Sequence, residues 1–375
     1  MKMLIYYAAK HLGLFRLSRR LFRGRLLILC YHGFEVADEA AFMPGVFMRQ
    51  ATFTRRLQAL AAGGHPVLPL AEALERLAAG TLPDNTICLT IDDGFYSVLD
   101  KAAPLLSKYG FPSTLYVTSY YVEKGTPVYR LVIQYLLWKT KQRTVAIEPA
   151  RWGLRGSYSL TDPTLRAELC RKLIEYGEKH CNESARQQLC HELGELLGVS
   201  YQEILDDRRL SLLTPAEIRR LHQGGMDIQL HTRRHQLCGQ NRQDLAKEVV
   251  ENAHDLHAIL PKPYAHFCYP SGAWQPHHPQ WLEALGVASA TTCDSGMNTA
   301  ATNRLALYRV LDSESLRDIV FEAEINGFGE LLRVLSGRRR QSDGWRQRAA
   351  APSVEFPQGV LTAASRATSK ESVAS

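Results

Sequence analysis

No stretch of this 375-residue chain approaches the roughly 18 consecutive apolar residues that a membrane-spanning helix requires. Its eight cysteines include no CxxC pair and none of the close spacings of a disulfide-stapled small domain. Cys30, Cys88 and Cys268 sit inside apolar, strand-like runs, where cysteine behaves as a small buried hydrophobe. Cysteine usage therefore points to a reducing compartment. Internal repeats are absent. The body of the chain also lacks a basic surplus. Net charge is +7, yet residues 1–25 carry seven Lys/Arg and no acid, and residues 338–375 carry seven against three. What remains, 26–337, holds 31 basic and 35 acidic residues. A nucleic-acid-binding core would need a basic face on the folded domain itself, so that class of partner is excluded.

What is present is an ordinary globular mixture. At 45% hydrophobic and 22% charged, the chain can bury the core of one large α/β domain with additions, or of two ordinary domains. Residues 1–25 place Leu4, Ile5, Leu12, Leu14, Phe15, Leu17, Leu21 and Phe22 among lysines and arginines, which reads as a basic amphipathic helix. Such a helix suits peripheral contact with an anionic membrane, or packing on the outside of the domain. Ser18-Arg19-Arg20-Leu21-Phe22 resembles a twin-arginine export signal, but the apolar run after it, Leu26 to Tyr31, is too short and has no small-residue cleavage site. The expected location is cytoplasmic, with peripheral contact at the inner face of the membrane.

From Leu26 onward, short apolar runs alternate with helical patterns. The predicted strands are 26–31, 66–70, 86–91, 113–118, 227–230, 265–269, 287–292 and 305–310. Between them lie amphipathic stretches at 52–62, 71–79, 97–109, 214–223, 241–260 and 277–285. Thr52 reads as the start of the first, and Thr214-Pro215 with Glu217 reads as a capping box opening another. Eight strands alternating with helices favour a barrel of parallel strands over an open sheet. The alternation breaks at 122–210, a segment rich in Leu, Glu, Arg and Gln that reads as a mostly helical insertion on one strand-to-helix loop. The barrel then spans 26–337, and the tail 338–375, poor in large apolar groups, is expected to be disordered.

Four polar clusters each follow a predicted strand: Tyr31-His32-Gly33, Asp92-Asp93-Gly94, His231-Thr232-Arg233-Arg234-His235 and Tyr269-Pro270-Ser271-Gly272. In a β/α barrel those ends open onto one face, where active sites are built. Each cluster alone is commonplace. Paired aspartates before a glycine often merely end a strand, His-x3-His is often two surface histidines a helical turn apart, Tyr-His is often a capped buried histidine, and Tyr-Pro-Ser-Gly is often a turn. Together they are specific. A carboxylate and two imidazoles bind Zn²⁺, Fe²⁺, Co²⁺ or Ni²⁺ and leave positions open for water and substrate. Neighbouring carboxylates can divide the work, one ligating and the other accepting a proton. Amide hydrolysis also needs an acid for the departing nitrogen, and His32 can supply it.

The ordered set CYHGF (30–34), LTIDDGF (89–95), LHTRRH (230–235) and CYPSG (268–272) resembles the polysaccharide deacetylases, a carbohydrate esterase family with the NodB-homology domain, over roughly 26–122 and 211–312. The resemblance implies a distorted β/α barrel, with Asp92 as general base and Asp93, His231 and His235 as ligands of a divalent metal. Zinc comes first, with cobalt, nickel, iron or manganese as alternatives. It implies that the backbone N–H of Ser271 stabilises the oxyanion. Two positions depart from the larger branch of the family. Cys268 stands where that branch has an arginine orienting the base, and Leu307-Tyr308-Arg309-Val310 stands where it has a late-strand histidine as the acid. Both gaps are filled if the chain resembles the branch with an early Tyr-His motif, typified by poly-N-acetylglucosamine deacetylases. There His32 is the acid, and Arg309 is a candidate for orienting Asp92. The expected substrate is an N-acetylated sugar of a cell-envelope polysaccharide or glycolipid precursor. A non-sugar amide substrate, or a non-catalytic carbohydrate-binding relic, are the competing readings.

Overall fold

The computed structural model describes residues 2–236 and 241–337, so the tail expected at 338–375 lies outside the described residues. Among these, seven strands form one parallel sheet: β1 (Leu27–Tyr31), β2 (Ile87–Ile91), β3 (Ser113–Val117), β4 (Asp227–Leu230), β5 (His266–Cys268), β6 (Ser289–Thr291) and β7 (Val310–Leu311). Their spatial order is β6-β5-β4-β3-β2-β1-β7. The sheet curls into a barrel because residues 304–311 bridge its two edges. Leu307 pairs with Thr291 of β6, and three residues later Val310 pairs with Leu29 of β1.

Two of the eight expected strands differ from the sequence pattern. The run 66–70 contributes only a bridge from Val67 to Ile87, and a helix begins at Leu70. Pro66 and Pro69 flank that bridge and have no N–H to offer a ladder. The run 305–310 is strand only at its end, because its backbone is drawn aside midway. The Tyr308 N–H donates to Asn298 Oδ1 and the Arg309 N–H to the Asp294 carbonyl, each at 2.9 Å.

Parity along the strands separates two sets of side chains. Leu27, Leu29, Tyr31, Ile87, Leu89, Ile91, Leu115, Val117, Ile228, Leu230 and Phe267 face outward and pack under the surrounding helices, including Phe53 and Leu57 of Gln50–Ala62. Ile28, Cys88, Tyr116, Cys268 and Leu307 face the interior, where Leu70, Ala73, Leu74 and Leu77 of the helix Leu70–Ala79 pack against them and plug the end where the strands begin. A strand covered on both faces reads as a continuous apolar run, as β1 and β2 do.

Helix signals fared unevenly. Thr214 and Glu217 form the capping box with Pro215 at the first turn. The helix expected to start at Thr52 begins instead at Gln50, and Thr52 is buried inside it, donating to Glu314. The N-terminal segment is two helices, Lys2–His11 and Leu14–Leu21, because Gly13 takes the left-handed conformation (φ 75°) between them. The segment after β3 leaves from the same barrel end as the polar clusters. It holds helices Tyr129–Lys139, Pro163–His180 and Glu183–Leu197, but also an antiparallel pair, Thr144–Arg151 with Leu154–Ser159, that a mostly helical reading missed.

Candidate active site

The parity that fills the barrel interior with apolar groups continues past the strand ends with polar ones. Cys30 and His32 follow Ile28, Thr90 and Asp92 follow Cys88, His231 follows Gln229, and Arg309 follows Leu307. Asp92, Arg309, His231 and Cys268 are almost wholly buried there. Arg309 meets Asp92 in a fork, Nη1 donating to Oδ1 at 2.7 Å and Nη2 to Oδ2 at 2.8 Å. Its remaining donors are also fixed: Nε donates to the Thr292 carbonyl at 2.8 Å, and Nη1 also to Thr90 Oγ1 at 3.2 Å. The Cys268 and Cys30 thiols approach Asp92 Oδ2 at 3.3 and 3.5 Å. Burial alone would push the Asp92 carboxyl upward, but the Arg309 guanidinium beside it wins and holds it well below the usual carboxylate range. His32 Nε2 lies 3.8 Å from Asp92 Oδ2, beyond hydrogen-bonding distance, and its Nδ1 is buried without a partner.

Asp93 turns away from its neighbour. The strand ends at Ile91, Asp93 adopts φ 72°, and Gly94 adopts φ 88° with Val117 pressed against it. Asp93 Oδ1 thereby sits 3.3 Å from His231 Nε2 and 3.2 Å from His235 Nε2. The two histidines are not one helical turn apart, as the spacing suggested. They flank a bent loop in which Thr232 and His235 have positive φ, and their ring centroids are 4.9 Å apart. His231 Nδ1 lies 2.9 Å from the Cys268 carbonyl. A carbonyl can only accept, so Nδ1 carries the hydrogen, which leaves Nε2 as the nitrogen that faces Asp93 and, in the neutral ring, offers it a lone pair. A buried carboxylate oxygen that has no hydrogen-bond donor and faces two imidazole nitrogens is an arrangement that a cation completes. The three residues fit a divalent metal.

A second layer holds this loop, and the sequence reading did not include it. Asn252 Oδ1 accepts from the His231 N–H, Glu248 accepts from the Arg234 N–H, and Asp255 pairs with Arg233 Nε, at 2.9, 2.9 and 3.0 Å. Glu251 pairs with both arginines. All four lie on the helix Arg242–Ile259 at positions 248, 251, 252 and 255, one face by helical spacing. That spacing was the available signal. The two arginines between the histidines anchor the loop to this helix.

Ser271 comes three residues after Cys268 in a tight turn, at φ 55°, beside Gly272, where a Cβ would lie 2.4 Å from that of Cys293. The sequence-derived residues Asp92, Arg309 and Cys268 thus form one buried group with the partly buried His32 at its edge, and Asp93, His231 and His235 form another beside it. Ser271 stands at the same barrel end as both. The polysaccharide deacetylase family model matches residues 79–290, more than half of the chain.

This chain belongs to the polysaccharide deacetylases.

As a member it is a hydrolase of carbon–nitrogen bonds other than peptide bonds. No curated protein matches its sequence. Among solved structures, a Streptococcus pyogenes deacetylase, PplD, in complex with acetate is 17% identical, with a TM-score of 0.53 over 82% of this chain and 97% of that one. IcaB from Ammonifex degensii is 17% identical, with a TM-score of 0.49 over 80% and 97%. A de-N-acetylase from Aggregatibacter actinomycetemcomitans is 13% identical, with a TM-score of 0.49 over 78% and 97%. The PplD likeness shows the deacetylase barrel.

The fork between Arg309 and Asp92 has a measurable signature. Because Asp92 lies below its unfolded value, its stabilising contribution is complete above the ordinary carboxylate range and is lost only in strong acid. In Arg309→Gln the main lowering influence is gone, burial outweighs the weaker pull of His32 and His231, and Asp92 is lifted above its unfolded value, which reverses the sign. The variant should be less stable than the parent by about 3–5 kcal/mol near neutral pH. The deficit should shrink as the pH falls toward about 4, where the buried carboxylate is relieved by protonation. Thermal unfolding at both pH values checks this, and a deficit independent of pH would contradict it.

Proposed function

We propose that this deacetylase is metal-dependent and removes acetyl groups from N-acetylated sugars of a polysaccharide or glycolipid precursor. We further propose that it belongs to the branch with the early Tyr-His motif. The observation that carries the reading is the Arg309–Asp92 fork. An arginine from the irregular segment just before the last strand stands in for the one that Cys268 displaces, and His32 is left facing the same interior.

In this reading Asp93, His231 and His235 hold the ion, with zinc first among the candidates. A divalent ion held by these residues would supply Lewis acidity for the acetyl carbonyl and would lower the pKa of a water there to about 7. Asp92 accepts the proton of the attacking water. It is assigned the base and not a ligand because Arg309 holds and orients it as the carboxylate, while Asp93 is the one that faces both His231 and His235. Arg309 is a positioning residue. It cannot serve as the acid, since a guanidinium keeps its proton near neutral pH. The Ser271 N–H, in its turn next to β5, is assigned to the oxyanion. His32 is assigned to protonate the departing nitrogen.

The same chemistry would serve a non-sugar amide, and the four motifs do not separate the two. The family model favours the sugar. Acetate release from N-acetylated glucosamine oligomers and lipid-linked sugars tests the reading. Release should stop with chelator and return when a divalent ion is added back. Chelator-insensitive release would remove the metal from the mechanism, and release only from non-sugar amides would remove the carbohydrate.

The His32 assignment is separable. An amine anion is a very poor leaving group, so amide cleavage depends on an acid, whereas an activated aryl acetate leaves with little help. His32→Ala should keep its metal and lose N-deacetylation by roughly 10²–10⁴-fold, but lose far less on an aryl acetate. Equal losses on both substrates would make His32 structural.

A further inference from the structure

Eleven large hydrophobic side chains are exposed among the described residues, and eight of them lie on the two N-terminal helices, the turn between them and the helix Phe328–Leu335 that packs beside them. Leu12 and Leu335 are three-quarters exposed, Leu4 and Leu21 more than half, and Leu17 about half. A monomeric surface normally scatters such groups singly; a contiguous patch marks an interaction site. The helices do not turn this face outward by fraying. Their opposite face is anchored, with Ala9 and Phe15 packed against Ile319, Ala323 and Phe328, and with the Phe15 ring tilted against that of Phe328 at 5.2 Å between centroids. Arg19 Nη1 donates to the Gly63 carbonyl at 2.8 Å.

The charge on the patch selects its occupant. Arg16 and Arg20 are exposed next to Leu17 and Leu21 and form no ion pair among the described residues, and residues 1–25 contain no acid. A second copy docked about a two-fold axis would set arginine against arginine. An anionic bilayer surface instead accepts the leucines into its acyl boundary while its phosphates meet the arginines. We infer that this three-helix face docks on anionic lipid.

The fold also sets the orientation. Phe22, which caps the second helix, lies four residues before Leu26, where the chain enters β1, and Gly63 lies three residues before Pro66, whose carbonyl accepts from the Ile87 N–H at the start of β2. Because both points lie at strand starts, the patch is at the end of the barrel where strands begin, and the Asp92–Asp93 site is at the end where they finish. A protein held this way turns its active site away from the lipid, toward a glycan chain in the aqueous phase, not toward a head group of the same surface. The inference does not depend on which sugar the site takes.

The full chain should sediment with vesicles of phosphatidylcholine containing phosphatidylglycerol, and much less with phosphatidylcholine alone. Arg16→Gln/Arg20→Gln should weaken that binding roughly thirtyfold, and Leu17→Gln/Leu21→Gln at least as much. Both variants should keep the parent's circular dichroism and its turnover on soluble oligomers. No binding to anionic vesicles, or binding that neither variant weakens, would overturn the inference. So would a parent dimer that the leucine variant splits while vesicle binding is absent.

Discussion

A guanidinium and a carboxylate enclosed in the middle of a barrel set the terms for the rest of this site. Removing either charge from water is expensive, and only close, fully bonded geometry offsets that cost. Arg309 meets the requirement on every side, with two bonds to Asp92, one to the Thr292 carbonyl and one to Thr90. To reach that position the chain gives up a strand between Leu307 and Val310 and lets Asn298 and Asp294 take its backbone N–H groups. The same irregular segment joins the two edges of the sheet. Barrel closure and orientation of Asp92 are thus one structural event.

With Asp92 fixed, Asp93 is free for different work. The two carboxylates differ by one residue in sequence but face different partners, because β2 ends between Ile91 and the left-handed turn at Asp93 and Gly94. One is tied to a permanent cation that belongs to the protein. The other faces two imidazoles with an oxygen that no donor satisfies. In the proposed mechanism that contrast separates the residue assigned to move protons from the one assigned to hold an ion. The helix Arg242–Ile259 supports the division by pinning the histidine loop through its acidic face.

Much of this was legible before any coordinates, for physical reasons. Strand parity is strict, so Ile28–Cys30–His32 and Cys88–Thr90–Asp92 had to share a face once 26–31 and 86–91 were read as strands. Arg309 was harder. It shares parity with Leu307, but the strand that should carry it is broken by hydrogen bonds to residues ten or more positions away, and no local pattern encodes those. Position Cys268 was readable as a missing arginine, yet its thiol approaching Asp92 was not, since the surrounding run marks it only as an apolar filler. The pair of strands in the insertion left a trace in the buried Val145 and Ile147 between exposed neighbours, followed by the Trp152-Gly153 turn. Two alternations are too few to outweigh long helical patterns on either side. The face at 248, 251, 252 and 255 obeyed helical spacing and was visible, but acids on an amphipathic helix usually meet only solvent.

The central claim is that adjacent aspartates do unlike jobs, and parallel measurement of metal content and acetate release in Asp92→Asn and Asp93→Asn tests it most directly. The account predicts that Asp92→Asn keeps about one divalent ion per chain while losing most of its turnover, and that Asp93→Asn loses both ion and turnover, since two ligands rarely retain a labile metal. Near-normal turnover in Asp92→Asn, or a full metal complement in Asp93→Asn, would contradict it.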